Sequence, residues 1–133
     1  MTLNKIFFTG DVAEAVQAES SGVERILVDL EILGKFERQG GLDTRKSNLS
    51  PQVIKPISDA LTSSELMVRI NPINNMTMSE VDFAIASGAK SLMLPMFESE
   101  CEVREFISLV NGRAKINLLL ETKKALAAVA EIA

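Results

Sequence analysis

Charged and amide side chains stand at the ends of three apolar segments of the chain. Asp29 and Glu31 end the first segment, Arg69 and Asn71 end the second, and Glu121 ends the third. Carboxylates coordinate hard cations and transfer protons, and a guanidinium binds a planar carboxylate through two parallel hydrogen bonds. A simpler interpretation is that Arg69 pairs with Asp29 or Glu31, and that Glu121 pairs with a lysine or a helix start. The spacing alone favours neither interpretation.

The composition excludes several classes of chemistry. The 133 residues include no His and one Cys. Without His there are no His general bases, no Ser-His or Cys-His nucleophile pairs and no His-containing metal sites. The net charge of -4 and the absence of Trp and Tyr argue against nucleic acid as a partner. No apolar run approaches the roughly 20 residues that span a bilayer, so we expect a cytoplasmic protein with no membrane partner.

Apolar strands alternate with capped helices along the chain. The hydrophobic pattern predicts five strands, over residues 5–9, 25–30, 66–70, 91–94 and 116–120. A helix is predicted after each strand, and a capping residue marks each helix start: Asp11, Ser50, Thr77, Ser99 and Thr122. The last helix is predicted to reach Ala133.

This alternation predicts one α/β domain over residues 1–133, with a parallel sheet covered by helices. Right-handed crossovers leave two arrangements. The first is five units of a (β/α)8 TIM barrel, that is, a partial barrel, and the alternative is an open flavodoxin-like sheet. Five barrel units cannot close, so the strand at 116–120 would be an apolar edge with unpaired backbone groups. Such an edge requires more chain, a second copy or an open sheet, and we expect a homo-oligomer.

The connection between Glu31 and Ser50 is longer than the others. Its 18 residues have no hydrophobic period and include the basic side chains Lys35 and Arg38. Most connections in such folds have about 2–6 residues, and long ones are often functional. This one leaves the carboxyl end of the second strand, the active side of both candidate folds, so Lys35 and Arg38 are candidates for substrate binding.

Four motifs in register carry a resemblance to a known family. They are Val28-Asp29-Leu30-Glu31, Val68-Arg69-Ile70-Asn71-Pro72, Gly88-Ala89 leading to Met93-Leu94-Pro95-Met96, and Leu118-Leu119-Leu120-Glu121-Thr122. In this order the chain resembles the HpcH/HpaI aldolase / citrate lyase beta-subunit family, whose members are pyruvate- and phosphoenolpyruvate-using barrels. The stretch 34–39 resembles a branch found among sugar and capsule biosynthesis genes.

The resemblance implies a role for each candidate residue. Arg69 would bind the carboxylate and enolate oxygens of a 2-oxo acid, with Asn71 beside it. Glu121 would be one of two carboxylates that hold Mg2+ or another divalent cation such as Mn2+. Asp29 and Glu31 would orient Arg69 or a metal-bound water. The implied activity is that of a carbon–carbon lyase, an aldolase that acts through a metal-stabilised enolate.

The chain departs from the family at three places. Ile32 stands where the aldolases have a His that transfers protons, so Lys35, Arg38 and metal-bound hydroxide are the candidates for the base. Met96 stands where a Lys often follows Leu-Pro. The second metal carboxylate of the family follows a sixth strand, beyond Ala133. The alternatives to a lyase are therefore a non-catalytic module that binds a small anion and a half-barrel whose role is assembly.

Overall fold

The computed structural model describes residues 2–32 and 49–133. Its strands are β1 Ile6–Phe8, β2 Arg25–Asp29, β3 Glu65–Arg69, β4 Ser91–Leu94 and β5 Lys115–Leu118. Its helices are α1 Val12–Ser20, α2 Ile54–Ala60, α3 Thr77–Ala86, α4 Glu100–Val110, α5 Lys123–Ala127 and α6 Val129–Ile132, and a 3-10 turn, Pro51–Val53, leads into α2. The predicted α/β fold with parallel βα units is thus confirmed.

The five strands form one parallel sheet in the order β1-β2-β3-β4-β5. Each strand pairs with the next one along the chain, as in β2 and β3, where Leu27 lies opposite Met67. A sequential order is that of strands wound in one direction, as in (β/α)8 barrels, whereas a flavodoxin-like sheet has the order 2-1-3-4-5. The sheet is not closed, so β1 and β5 are its two edges.

The helices cover one face of the sheet. Val28, Val68 and Leu92 point to that face and pack in one core with Ile57 of α2 and Phe106 of α4. Successive side chains of a strand point to opposite faces. Leu27 and Met67 therefore lie on the opposite face, and they are fully buried there without joining the helix-side core. No helix in the described part of the chain is both long and apolar enough to cross a bilayer.

Four of the five predicted capping residues are confirmed. The side chains of Asp11, Ser50, Ser99 and Thr122 accept a hydrogen bond from a backbone N–H in the first turn of their helix or 3-10 turn. The prediction for Thr77 is wrong, because α3 begins at this residue and has no side-chain cap.

The reason for the difference at Thr77 is a competing local turn. The Asn74 side chain accepts a hydrogen bond from the N–H of Met76 at 2.7 Å, and the Thr77 hydroxyl accepts one from the N–H of Asn74 at 2.8 Å. Asn side chains form such turns with the backbone two residues on. The Thr77 hydroxyl therefore faces back into the turn and not along the helix.

The C-terminal region also differs from the predicted boundaries. β5 ends at Leu118, two residues before the predicted end, and Thr122 then caps α5. The predicted last helix is divided at Ala128, whose backbone angles (φ -99°, ψ 10°) are not helical. The chain still reaches its end in helical structure, as two short helices.

A carboxylate at the end of α1 fixes the connection that precedes β3. Glu19 accepts hydrogen bonds from the backbone N–H groups of Thr62, Ser63 and Ser64, at 3.1, 2.8 and 2.6 Å. These bonds, that from Ser64 foremost, lower the pKa of Glu19 to about 2. Hydrogen bonds to the ionised form stabilise it, so the charged carboxylate holds α1 against the α2–β3 connection.

The variant Glu19→Gln tests this contact. We expect a loss of about 1 kcal/mol in the free energy of unfolding at pH 7, because charge-assisted bonds at a partly exposed site become neutral ones. The folded-state pKa is depressed, so the wild-type advantage is complete above pH 4.5 and decreases as the pH falls toward 2. Urea unfolding at pH 7, 4 and 3 measures the difference in the free energy of unfolding between the wild type and the variant. Glu105→Gln, on the exposed side of α4, is the control, and equal losses in the two variants would contradict the assignment.

Candidate functional site

A bidentate ion pair connects the carboxyl ends of β2 and β3. Asp29 and Arg69 lie opposite each other in the sheet register. The guanidinium donates from Nε to Oδ1 of Asp29 at 2.9 Å and from Nη2 to Oδ2 at 2.5 Å. Both side chains are about nine-tenths buried. The simpler sequence interpretation, in which Arg69 pairs with Asp29 or Glu31, is therefore confirmed.

Glu31 adds a second carboxylate to this pair. Its Oε2 lies 3.2 Å from Nε of Arg69, and its side chain is fully buried. Its backbone N–H donates to Oδ1 of Asp29 at 3.1 Å, so the Asp29 carboxylate also organises the chain just after β2. Two carboxylates from β2 and its end thus share one guanidinium from β3.

Arg69 contacts the ring of Phe8, and the surrounding carboxylates keep its guanidinium protonated. The Phe8 ring centroid is 5.8 Å from Cζ of Arg69, within the range of a cation–π contact. The hydrogen bond to Asp29 raises the pKa of Arg69, burial acts against it, and the charges of Asp29, Glu31 and Glu121 raise it further. Arg69 therefore keeps its proton and acts in this site only as a cation.

Glu121 reaches the same cluster from the end of β5. It contributes to the raised pKa of Arg69, which places its charge within electrostatic reach of the guanidinium. Its Oε1 also accepts a hydrogen bond from the backbone N–H of Met96 at 3.0 Å. Met96, which donates this bond, has a left-handed backbone conformation (φ 54°). Glu121 thus contacts the connection after β4, and its predicted pairing with a lysine or a helix start stays a prediction.

Asn71 lies beside the charged cluster and connects the end of β2 to α3. Its Oδ1 accepts a hydrogen bond from the N–H of Ile32 at 2.7 Å, and its Nδ2 donates to Oε1 of Glu80. Asn71 therefore holds the connection after β2, and its role as a substrate-binding residue stays a prediction. Ile32, at the position of the family's His, is about half exposed.

The other two candidates for substrate binding, Lys35 and Arg38, lie outside the described residues.

The carboxylates of the charged cluster match a hard cation in ligand type, because they offer only oxygen atoms. The number of ligands fits less well. Within 2–32 and 49–133, no three His, Cys, Asp or Glu side chains are arranged to hold a metal ion. Glu121 is thus a single predicted ligand and not part of a complete cation site.

The structure brings together three of the predicted residues, Asp29, Glu31 and Arg69, and the charge of Glu121 lies within electrostatic reach of Arg69. The sequence interpretation missed Phe8 and the backbone of Met96. The sequence offered a signal for Phe8, because this aromatic residue stands at the carboxyl end of β1, and the carboxyl ends of β2 and β3 carry Asp29 and Arg69. No local pattern indicates the contact between Met96 and Glu121, which are 25 residues apart.

A comparison of the chain with protein-family models and with curated proteins finds no match.

We expect Arg69→Met to lower the free energy of unfolding by about 3 kcal/mol, because it removes the cation that two buried carboxylates share. Arg104→Met is the matched control. Its i,i+4 pair with Glu100 is on the surface, so the expected loss is about 0.5 kcal/mol or less. Asp29→Asn should lower the free energy of unfolding by less in the Arg69→Met background than in the wild type. Denaturant unfolding of the four variants measures these values, and equal losses for Arg69→Met and Arg104→Met would contradict the buried ion pair.

Proposed function

We propose that this chain belongs to a metal-dependent carbon–carbon lyase, of the aldolase or citrate lyase type, that acts on a 2-oxo acid. The observation that supports the proposal is the ion-pair cluster of Asp29, Glu31 and Arg69 at the carboxyl ends of two neighbouring parallel strands, with the charge of Glu121 within electrostatic reach of Arg69. Catalytic groups of parallel α/β folds lie at these strand ends. The resemblance of the four motifs gives the reaction class.

Arg69 would bind the substrate carboxylate. Its Nε and Nη2 atoms face Asp29, and no bond to an acceptor in the described part of the chain uses Nη1. A substrate carboxylate would therefore approach through the Nη1 side of the guanidinium. Because Asp29 and Glu31 hold the group rigidly, its charge is already in place when negative charge develops on the substrate.

Glu121 would hold the divalent cation, for which Mg2+ is the first candidate and Mn2+ the second. When bound, such a cation polarises the 2-oxo group and stabilises the enolate as a Lewis acid. The bond from the N–H of Met96 to Oε1 orients the Glu121 carboxylate.

We infer a cytoplasmic protein with a small 2-oxo acid or acyl compound as substrate, and with neither nucleic acid nor membrane as a partner. The acidic net charge and the single Cys support this view.

The first test is exchange of the pyruvate methyl protons with solvent deuterium, followed by NMR. We expect exchange in the presence of the protein and Mg2+, and its loss when the cation is chelated. Glu121→Gln should raise the Mg2+ concentration for half-maximal exchange about tenfold or more, because a neutral amide is a weaker ligand. Arg69→Lys, which keeps a positive charge but loses the planar fork, should raise the pyruvate concentration needed.

The control is Glu98→Gln, which removes an exposed carboxylate that pairs with Lys124 and should leave exchange unchanged. Circular dichroism confirms that each variant is folded. Pyruvate binding that calorimetry finds equally strong with and without Mg2+, with no exchange, would overturn the lyase proposal and favour a module that binds a small anion.

An assembly half-barrel is the second candidate, and exposed apolar side chains on both sheet edges favour it. Ile6, Phe7 and Phe8 of β1 are each about 40–56% exposed, and Leu118 of β5 is also exposed. Edge strands with exposed apolar residues pair readily with other chains. A second copy of the chain would cover these edges.

Sedimentation velocity tests this candidate. We expect an oligomer for the wild type and a monomer for Leu118→Lys, because a lysine on an edge strand opposes pairing. Met76→Lys, at a more exposed position just before α3 and away from the sheet edges, is the control and should leave the oligomer intact. A wild type that sediments as a monomer at about 100 μM would reject the assembly role, since obligate interfaces persist at such concentrations.

A further inference from the structure

A cavity lies on the helix-covered side of the sheet, away from Arg69. It has a volume of about 320 Å3 and opens between the start of α2 and the exposed side of α3. Ile70 contributes to its wall and belongs to the helix-side core, whereas Arg69, the preceding residue, points to the opposite face. The cavity therefore lies on the other face of the sheet from the Arg69 guanidinium and shares only the side chain of Asn71 and the nearby Ile32 with the region of the proposed lyase site, so an inference from it does not require the lyase activity.

The walls of this cavity are mainly apolar. Leu30 and Ile70 lie on the sheet side, Leu49 lies on the side of α2, and Phe83 lies on α3. Cavities that bind small molecules have volumes from about 300 Å3 upward, with apolar walls and a few fixed polar groups. A volume of about 320 Å3 is thus sufficient for a compact ligand and too small for a cofactor of nucleotide size.

The charged group of the wall is the carboxylate of Glu80. Asn71 donates to its Oε1, and Asn74 donates from Nδ2 to its Oε2 at 3.3 Å. Asn74 is itself held by the Thr77 hydroxyl, so the carboxylate has a defined orientation at the cavity wall. Of the residues within 2–32 and 49–133 that line the cavity, Glu80 is the one that carries a charge, and its carboxylate provides a fixed negative group at this part of the wall.

We propose that this cavity binds a small organic cation, an amine with an aromatic or branched alkyl body. The ammonium group lies against Glu80, which accepts its hydrogen bond as a charged acceptor. The apolar body fills the space between Ile70, Leu49 and Phe83, and the Phe83 ring adds a favourable surface for a cation. A carboxylate of the same shape is excluded, because it would face the charge of Glu80 across an apolar space.

The experiment uses benzylamine as the probe, with benzyl alcohol as its neutral analogue and benzoate as its anionic analogue. Methyl 1H–13C NMR of the full chain reports shifts of Leu30, Leu49 and Ile70 during each titration. For benzylamine we expect saturable shifts with a dissociation constant on the order of 1 mM. Benzyl alcohol should bind about tenfold more weakly, and benzoate should cause no shifts at these methyl groups.

Two variants test the charge of the site and the volume of the cavity separately. Glu80→Gln should remove the roughly tenfold preference for benzylamine over benzyl alcohol, because it removes the charge and keeps the shape. Ser79→Phe should abolish binding of both compounds, since Ser79 lines the cavity and the larger side chain fills it. Met78→Phe, on the same helix and largely exposed outside the cavity, is its control and should bind benzylamine as the wild type does.

The proposal is overturned by any of three results. These are no saturable shift at the three methyl groups with up to about 10 mM benzylamine, equal affinity of the wild type for benzylamine and benzoate, and unchanged binding in Ser79→Phe. If Glu80→Gln does not fold, an increase of the benzylamine dissociation constant in the wild type at 1 M salt provides the same test of charge, because salt screens the ammonium–carboxylate attraction.

Discussion

The shared ion pair of Asp29, Glu31 and Arg69 fixes the register of the neighbouring strands β2 and β3. Asp29 and Arg69 are opposite residues of β2 and β3, and their bidentate contact exists only in that register. A slip by one residue would turn Arg69 into the helix-side core beside Val68 and Ile70. A guanidinium without a carboxylate in such a place is costly. The charges that form the candidate site are therefore also the groups that determine how β2 and β3 pair.

The charged cluster around Arg69 and the cavity beside Glu80 lie on different faces of the sheet. The helices in the described part of the chain pack on one face, and the charged side chains around Arg69 lie on the other face. The apolar cavity beside Glu80 lies between helices on the covered face. Asn71 is the point at which the two regions meet, since it holds both Ile32 and Glu80. A change at Asn71 would alter both sites, whereas changes at Glu80 and Glu121 act on one each.

Local features of the fold could be predicted from the sequence, and contacts between distant residues could not. Asp11, Ser99 and Thr122 cap their helices because a capping bond joins residues three positions apart. Thr77 is different because the Asn74 side chain forms a competing turn with the backbone. The pairing of Arg69 stayed open between two carboxylates because spacing does not determine rotamers, and the structure uses both. The contact of Glu121 with the Met96 backbone follows from how the connections after β4 and β5 meet, and no pattern in either segment encodes it.

The geometry of Arg69 restricts how it could take part in a reaction. Its raised pKa keeps the guanidinium charged, so it contributes position and charge and never exchanges a proton with a substrate. Asp29 already uses the Nε–Nη2 edge, the edge that would bind a substrate carboxylate through two bonds. An anion must therefore either displace Asp29, which would break a buried pair, or bind through Nη1. Approach through Nη1 costs less, because the ion pair with Asp29 and Glu31 stays intact. A ligand of Arg69 would then add to the cluster that orders the β2–β3 register and would stabilise the fold as it binds.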